Sequence, residues 1–219
     1  MTAIKLILIF CITTSHASEK GDIRRLSIKE IEPLVPEIIK KAQQGDPDSQ
    51  LYLSFIYIKG ITVKRNFNES LKWYNKAARN NQPEAQYGMG WNHLVGRYGF
   101  KKDPKTALSW FHKSAAGGYQ KSYSMLGQLY RGLRFPFLKD SEKAYYWYKK
   151  SAEEGHYPSK ARSEFMVGCY EYFGGGGNPI NKSLGREYIE RSRASGYKPA
   201  DRYLLTGDPE VLYHMCFYR

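Results

Sequence analysis

From Leu34 to Gln44, the residues Leu34, Val35, Ile38, Ile39 and Ala42 fall at the spacing that lines one face of a helix, and Gly45 ends it. The same succession of apolar stripe and stop signal returns along the rest of the chain. Trp73, Trp110 and Trp147 stand 37 residues apart, and Tyr188 follows Trp147 by 41. Seven residues before these aromatics come Asn66, Asp103, Asp140 and Asn181, whose side chains can accept from first-turn amides and so start a helix. Eight residues after them, Asn81, Gly118, Gly155 and Gly196 supply left-handed stops. Small residues flank each ring: Ser70, Ala107, Ala144 and Gly185 before it, then Ala78, Ala115, Ala152 and, out of pattern, Arg193. The expectation is that these let neighbouring backbones approach while the ring fills the gap between them.

A second helix precedes each of these, marked by Ser54, Gly90, Gly127 and Gly168, with Tyr57, His93, Tyr130 and Glu171 three positions later. Self-similarity at this period predicts stacked helix pairs rather than one undivided core. The expected organisation is a capping helix over 34–45, repeats over 46–81, 82–118, 119–155 and 156–197, and a partial repeat with a closing helix over 198–219. Residues 18–33 are polar and expected to fray. The longer spacing before Tyr188 places four additional residues around 157–160, about one helical turn, where the array should bend or step. Gly174 to Gly177 read as a close-turning connection, since no Lys-Ser or Lys-Thr follows in the frame of a phosphate loop. Gly207-Asp208-Pro209 interrupts the last unit, with Asp208 able to cap the closing helix.

The pattern small-x-x-x-Leu-Gly-x-x-Tyr, then Asp-x-x-Lys-Ala-x-x-Trp-x-x-x-Ala-x-x-Gly, resembles the Sel-like repeat, a relative of the tetratricopeptide repeat. Leu126, Gly127, Tyr130, Asp140, Lys143, Ala144, Trp147, Ala152 and Gly155 carry it best, while the fourth repeat departs at Glu171, Gly185 and Arg193. The resemblance implies an all-α fold, a right-handed α-solenoid of helix-turn-helix repeats with a concave groove. Positions −6, −3, +1 and +4 from the small residue share one face of each first helix, apart from the stacking face. By the resemblance that face lines the groove. The candidate partner-binding residues are therefore Leu51, Phe55, Ile58, Tyr87, Trp91, Leu94, Gln128, Arg131, Arg162, Phe165 and Tyr172. The competing expectation is that the array buries Phe55, Tyr87 and Trp91 within itself.

Charge narrows the choice of partner. The chain carries 34 Lys and Arg against 21 Asp and Glu, a net charge of +13, and a surface of this kind attracts acidic protein, anionic lipid, peptidoglycan or nucleic acid. Residues 1–17 read as a secretory signal: Lys5, an apolar run over 6–12 too short to span a bilayer, and Ser15-His16-Ala17 for cleavage after Ala17. Phe10 is too bulky for lipidation at Cys11. Export to the periplasm makes nucleic acid the least expected partner and an acidic protein the most expected, bound by a chain that is monomeric when free and has no transmembrane span after cleavage. In an oxidising compartment Cys169 and Cys216 form either one disulfide or two separate buried thiols, and the sequence leaves both open.

No cofactor or metal is expected. His93, His112, His156 and His214 belong to no His-Glu-x-x-His motif, and neither Cys-x-x-Cys nor Gly-x-Ser-x-Gly occurs. A non-catalytic scaffold is thus the leading expectation. Among exported relatives, the resemblance points to periplasmic immunity proteins that neutralise phospholipase toxins delivered by type VI secretion. It also admits an envelope or host-interaction factor, or an enzyme on β-lactam or cell-wall substrates, for which His93 and Glu171 would be the residues to test.

Overall fold

Asn66, Asp103, Asp140 and Asn181 each start a helix as their spacing predicts, accepting hydrogen bonds from the amides of Glu69, Thr106, Lys143 and Leu184 at 3.1, 3.1, 3.0 and 3.0 Å. Their own amides reach back to the carbonyls of Tyr57, His93, Tyr130 and Glu171 at 3.0, 2.8, 2.8 and 2.7 Å. One residue thereby both opens the second helix of a repeat and ties it to the end of the first. The computed structural model describes residues 22–156 and 158–218. The expected secretory signal over 1–17, its cleavage site and the first residues of the lead-in lie outside the described residues. The described residues divide between Met89 and Gly90 into two units.

The first unit contains α1 (Val35–Gln43), α2 (Pro47–Lys59), α3 (Phe67–Arg79) and the beginning of α4 (Pro83–Val95). Asp46 caps α2 by accepting from the Ser49 amide at 2.7 Å, and Gly45 takes the left-handed backbone expected of a stop, with φ 101°. The core gathers Ile38 and Ala42 of α1 with Tyr52, Leu53 and Ile56 of α2, and Trp73 packs at its margin. Residues 22–33 correct an expectation, because they do not fray. Ile23, Ile31 and Leu34 are buried in this core, and Ser27 donates from its amide and hydroxyl to Glu30 at 2.9 and 2.7 Å. A polar majority disguised the apolar anchors Ile23 and Ile31.

The second unit continues from Gly90 through α5 (Pro104–Ala116), α6 (Lys121–Arg131), α7 (Ser141–Glu154), α8 (Ser159–Phe173), α9 (Lys182–Ala194), α10 (Lys198–Thr206) and α11 (Pro209–Phe217). Its small-residue positions are sockets. A Cβ added at Gly90 would lie 2.7 Å from the Phe111 ring, at Gly127 2.8 Å from the Tyr148 ring, and at Gly168 2.7 Å from Ile189. Phe111, Tyr148 and Ile189 have no exposed surface. The ring that fills the gap therefore stands one position beyond the regularly spaced aromatic; Trp110 and Trp147 are only half-buried. Successive repeats are pinned by serine pairs, Ser122 to Ser114 at 2.7 Å and Ser163 to Ser151 at 2.8 Å.

Gly155 is a second correction. Asn81, Gly118 and Gly196 adopt positive φ as stops, but Gly155 is extended, with φ −75° and ψ 163°. The next helix then begins only at Ser159. Asp208 caps α11 by accepting from the Glu210 amide at 2.8 Å.

Replacing Asp140 with alanine removes a cap while leaving the backbone tie, and is expected to lower stability by about 1 kcal/mol in urea unfolding. Asp140→Asn, which keeps an acceptor, should retain most of that. Equal losses from the two changes would show that the cap is not the source.

Candidate functional site

In the first unit, the proposed binding face is partly taken by the chain itself. Arg24 donates to both carboxylate oxygens of Glu84, at 2.6 and 2.8 Å, and also grips Asp22. Burial pushes the Asp22 carboxyl up, but hydrogen bonds from Arg24 outweigh it and hold the group below its ordinary value. Burial keeps Asp48 above the usual carboxylate range, although Gln82 donates to it at 3.3 Å. Of the predicted contact residues here, Phe55, Ile58 and Tyr87 are half-buried, whereas Leu51 is buried and has no surface to offer.

The second unit closes its C-terminal end. Cys169 and Cys216 are joined in a disulfide with Cα atoms 5.7 Å apart, fastening α11 to α8. Phe173 meets Tyr213 and Phe217 at ring-centroid distances of 5.2 and 5.9 Å around it. Phe165 packs against Tyr197 at 5.4 Å and Tyr172 against Tyr203 at 6.1 Å. Phe165 and Tyr172, with Leu94, are buried, and their assignment as partner contacts is corrected on that ground. The physical reason is that the first helices are apolar around more than one face, and an all-round apolar helix is covered on more than one side.

Four of the predicted contact residues in the second unit keep at least part of their surface, and together they make up the candidate strip. Trp91 and Gln128 occupy equivalent positions on successive first helices and are half-buried; Arg131 is half-buried and Arg162 exposed. Gln128 is steadied by donating to the Ser124 carbonyl at 3.3 Å, and one Arg131 nitrogen lies 3.3 Å from the Met166 sulfur. The strip presents an aromatic surface, an amide and two guanidinium groups, a combination suited to carboxylates and apolar side chains of a protein surface.

His93 and Glu171 serve packing. The His93 ring meets Phe100 edge-on at 4.9 Å, and Glu171 accepts from the Tyr145 hydroxyl at 2.5 Å. Among the described residues, no group of three or more His, Cys, Asp or Glu side chains is placed to hold a metal ion, and no helix is long and apolar enough to cross a membrane.

Two polar arrangements, one buried and one half-buried, escaped the sequence reading. Glu164 accepts from Ser195 at 3.0 Å, with Arg191 at 3.6 Å, and nothing in the local pattern signals it. His112 is hydrogen-bonded to the Tyr130 hydroxyl at 2.8 Å and lies edge-on to Trp147 at 5.5 Å, joining α5, α6 and α7. Burial, with a smaller contribution from Lys143, holds this imidazole below its ordinary value of 6.5.

Four segments, 47–82, 83–119, 120–156 and 161–197, match the Sel1 repeat model. A solved Sel1 repeat protein from Oxalobacter formigenes is 25% identical, with a TM-score of 0.67, over 81% of this chain and 50% of that one. A protective antigen of uropathogenic Escherichia coli displaying an SLR fold is 21% identical, with a TM-score of 0.64, over 78% of this chain and 35% of that one. An uncharacterized Neisseria meningitidis protein is 33% identical over 76 residues, which is 35% of this chain and 15% of its own length. The chain therefore spans half or less of these similar proteins. The fold class is an all-α solenoid of helix-turn-helix repeats.

Because its folded pKa is depressed, His112 takes up a proton at lower pH in the folded state than in the unfolded chain. Stability is then full above about pH 6.5 and falls as pH drops below that value. Unfolding midpoints should decline from pH 7 to pH 5, with part of the decline missing in His112→Gln. An identical pH profile for that variant would contradict the assignment.

Proposed function

Because the chain belongs to the Sel1 repeat family, we propose that it is a non-catalytic scaffold that binds an acidic protein on the Trp91, Gln128, Arg131 and Arg162 strip of its second unit. The observation supporting this reading is that Arg162 is exposed and Trp91, Gln128 and Arg131 keep part of their surface where Leu94, Phe165 and Tyr172 are buried, in a protein with a net charge of +13. Arginine and tryptophan are the residue types that most often dominate binding energy at protein interfaces. The placing of His93 and Glu171 in packing roles favours binding over hydrolysis.

In its narrowest form the reading is an exported, periplasmic immunity protein that neutralises a phospholipase effector of type VI secretion. The expected secretory signal and the positive charge support it, and they fit an envelope factor with another acidic partner equally well. The discriminating experiment mixes the purified chain with a type VI secretion phospholipase effector from the same organism and reads affinity by calorimetry and residual lipase activity. Tight binding with loss of lipase activity is expected. Trp91→Ala, and Arg131→Glu with Arg162→Glu, should each weaken binding by about tenfold or more. Unchanged affinity in both variants would overturn the strip. A phospholipase that is neither bound nor inhibited would remove the immunity reading.

A further inference from the structure

The connections between first and second helices in the second unit, residues 96–103, 132–140 and 174–181, come together along one edge. Lys102 Nζ lies 6.0 Å from the centroid of the Phe135 ring, which brings the first beside the second. Gly176 lies so close to Ser141 and Tyr145, at the start of α7, that a Cβ there would collide, which brings the third alongside. Each connection holds an apolar side chain out to solvent: Tyr98 is 54% exposed, Leu133 49%, Phe137 63% and Ile180 62%. Single exposed apolar residues are ordinary, but a row of them on adjoining loop tips marks an interaction surface.

Two features give the row its chemistry. Tyr98 has φ 56°, a left-handed backbone uncommon for a bulky residue, between Gly96 and Gly99, which also have positive φ. Exposed cations alternate with the apolar tips at Arg97, Lys101, Arg134 and Lys139, and Arg134 lies 5.6 Å from the Phe135 ring centroid. The acidic residues Asp103 and Asp140 in the same loops are turned to helix capping, although exposed Glu142 stands nearby.

We propose that this edge is a peripheral docking surface for an anionic lipid bilayer, in which Leu133 and Phe137 enter the interfacial zone while Arg134 and Lys139 meet headgroup phosphates. Aromatic and aliphatic tips interleaved with cations match the layering of a bilayer interface, where rings lie at headgroup depth and each nearby cation adds electrostatic attraction. A protein partner instead favours anchors seated in desolvated pockets, which protruding loop tips do not form. The inference is independent of the strip assigned above.

The full chain is mixed with vesicles of phosphatidylcholine alone or with added phosphatidylglycerol, and the bound fraction is read by sedimentation. Binding should require phosphatidylglycerol and weaken at high salt. Arg134→Glu with Lys139→Glu should lower partitioning by roughly tenfold or more, and Leu133→Ser with Phe137→Ser should reduce it severalfold. A control with the same charge change, Lys198→Glu with Arg202→Glu on α10, should lose far less. Phe137→Trp should add emission that shifts to the blue on anionic vesicles and is quenched by brominated acyl chains. Loop variants that bind like the unsubstituted chain, a control that loses as much, or an unshifted tryptophan would each overturn the proposal. So would equal binding to soluble polyglutamate that ignores Leu133 and Phe137, which would mark a surface for acidic protein. These side chains are exposed, so the variants should keep the helical circular dichroism of the unsubstituted chain.

Discussion

A missing side chain governs the geometry of the second unit. Gly90, Gly127 and Gly168 sit where a Cβ would press within 2.7 to 2.8 Å of Phe111, Tyr148 and Ile189. Glycine inside a helix costs about 1 kcal/mol relative to alanine, a cost that the burial of a whole ring or branched side chain outweighs. Once the socket fixes how closely two helices approach, the backbone tie from the capping residue fixes where the second must begin. The His93 to Asp103 and Tyr130 to Asp140 ties, both at 2.8 Å, join residues separated by the same distance along the chain. The repeat period is thus a consequence of a contact and a hydrogen bond acting together.

That arrangement also determines what is left for binding. First helices devote one side to the sockets, and the chain reuses much of the other side to seal its own ends. In the first unit Arg24 clamps Glu84. In the second, the Cys169–Cys216 disulfide and the Tyr197 and Tyr203 rings shut the face around Phe165 and Tyr172. The accessible strip is a remainder, narrower than the face that periodicity outlines and richer in guanidinium groups.

What was legible in the sequence was local. A cap, a left-handed stop and a closing turn each depend on neighbours within a few residues, so Asn66, Asp103, Asp140 and Asn181 could be assigned from spacing alone. The socket-filling residue was misplaced by one position, because tryptophan recurs visibly while Phe111, Tyr148 and Ile189 share no single type. The candidate face could be drawn on a helical wheel, but its occupancy could not. Tyr203, which meets Tyr172, lies in a helix beyond the last full repeat, and no period of the sequence connects the two. The fold of residues 22–33 was hidden for a similar reason, since Ile23 and Ile31 form no stripe and are anchors only in the company of α1 and α2.

The socket is tested most directly by a double-mutant cycle on Gly127 and Tyr148, with stability read by urea unfolding. With Tyr148 present, Gly127→Ala should destabilise by about 1 to 3 kcal/mol, as overpacking does. In a Tyr148→Ala background the same change should be neutral, or stabilising by up to about 1 kcal/mol, since only helix propensity then remains. An equal cost in both backgrounds would mean that the ring does not dictate the glycine, and the account of the repeat would fail.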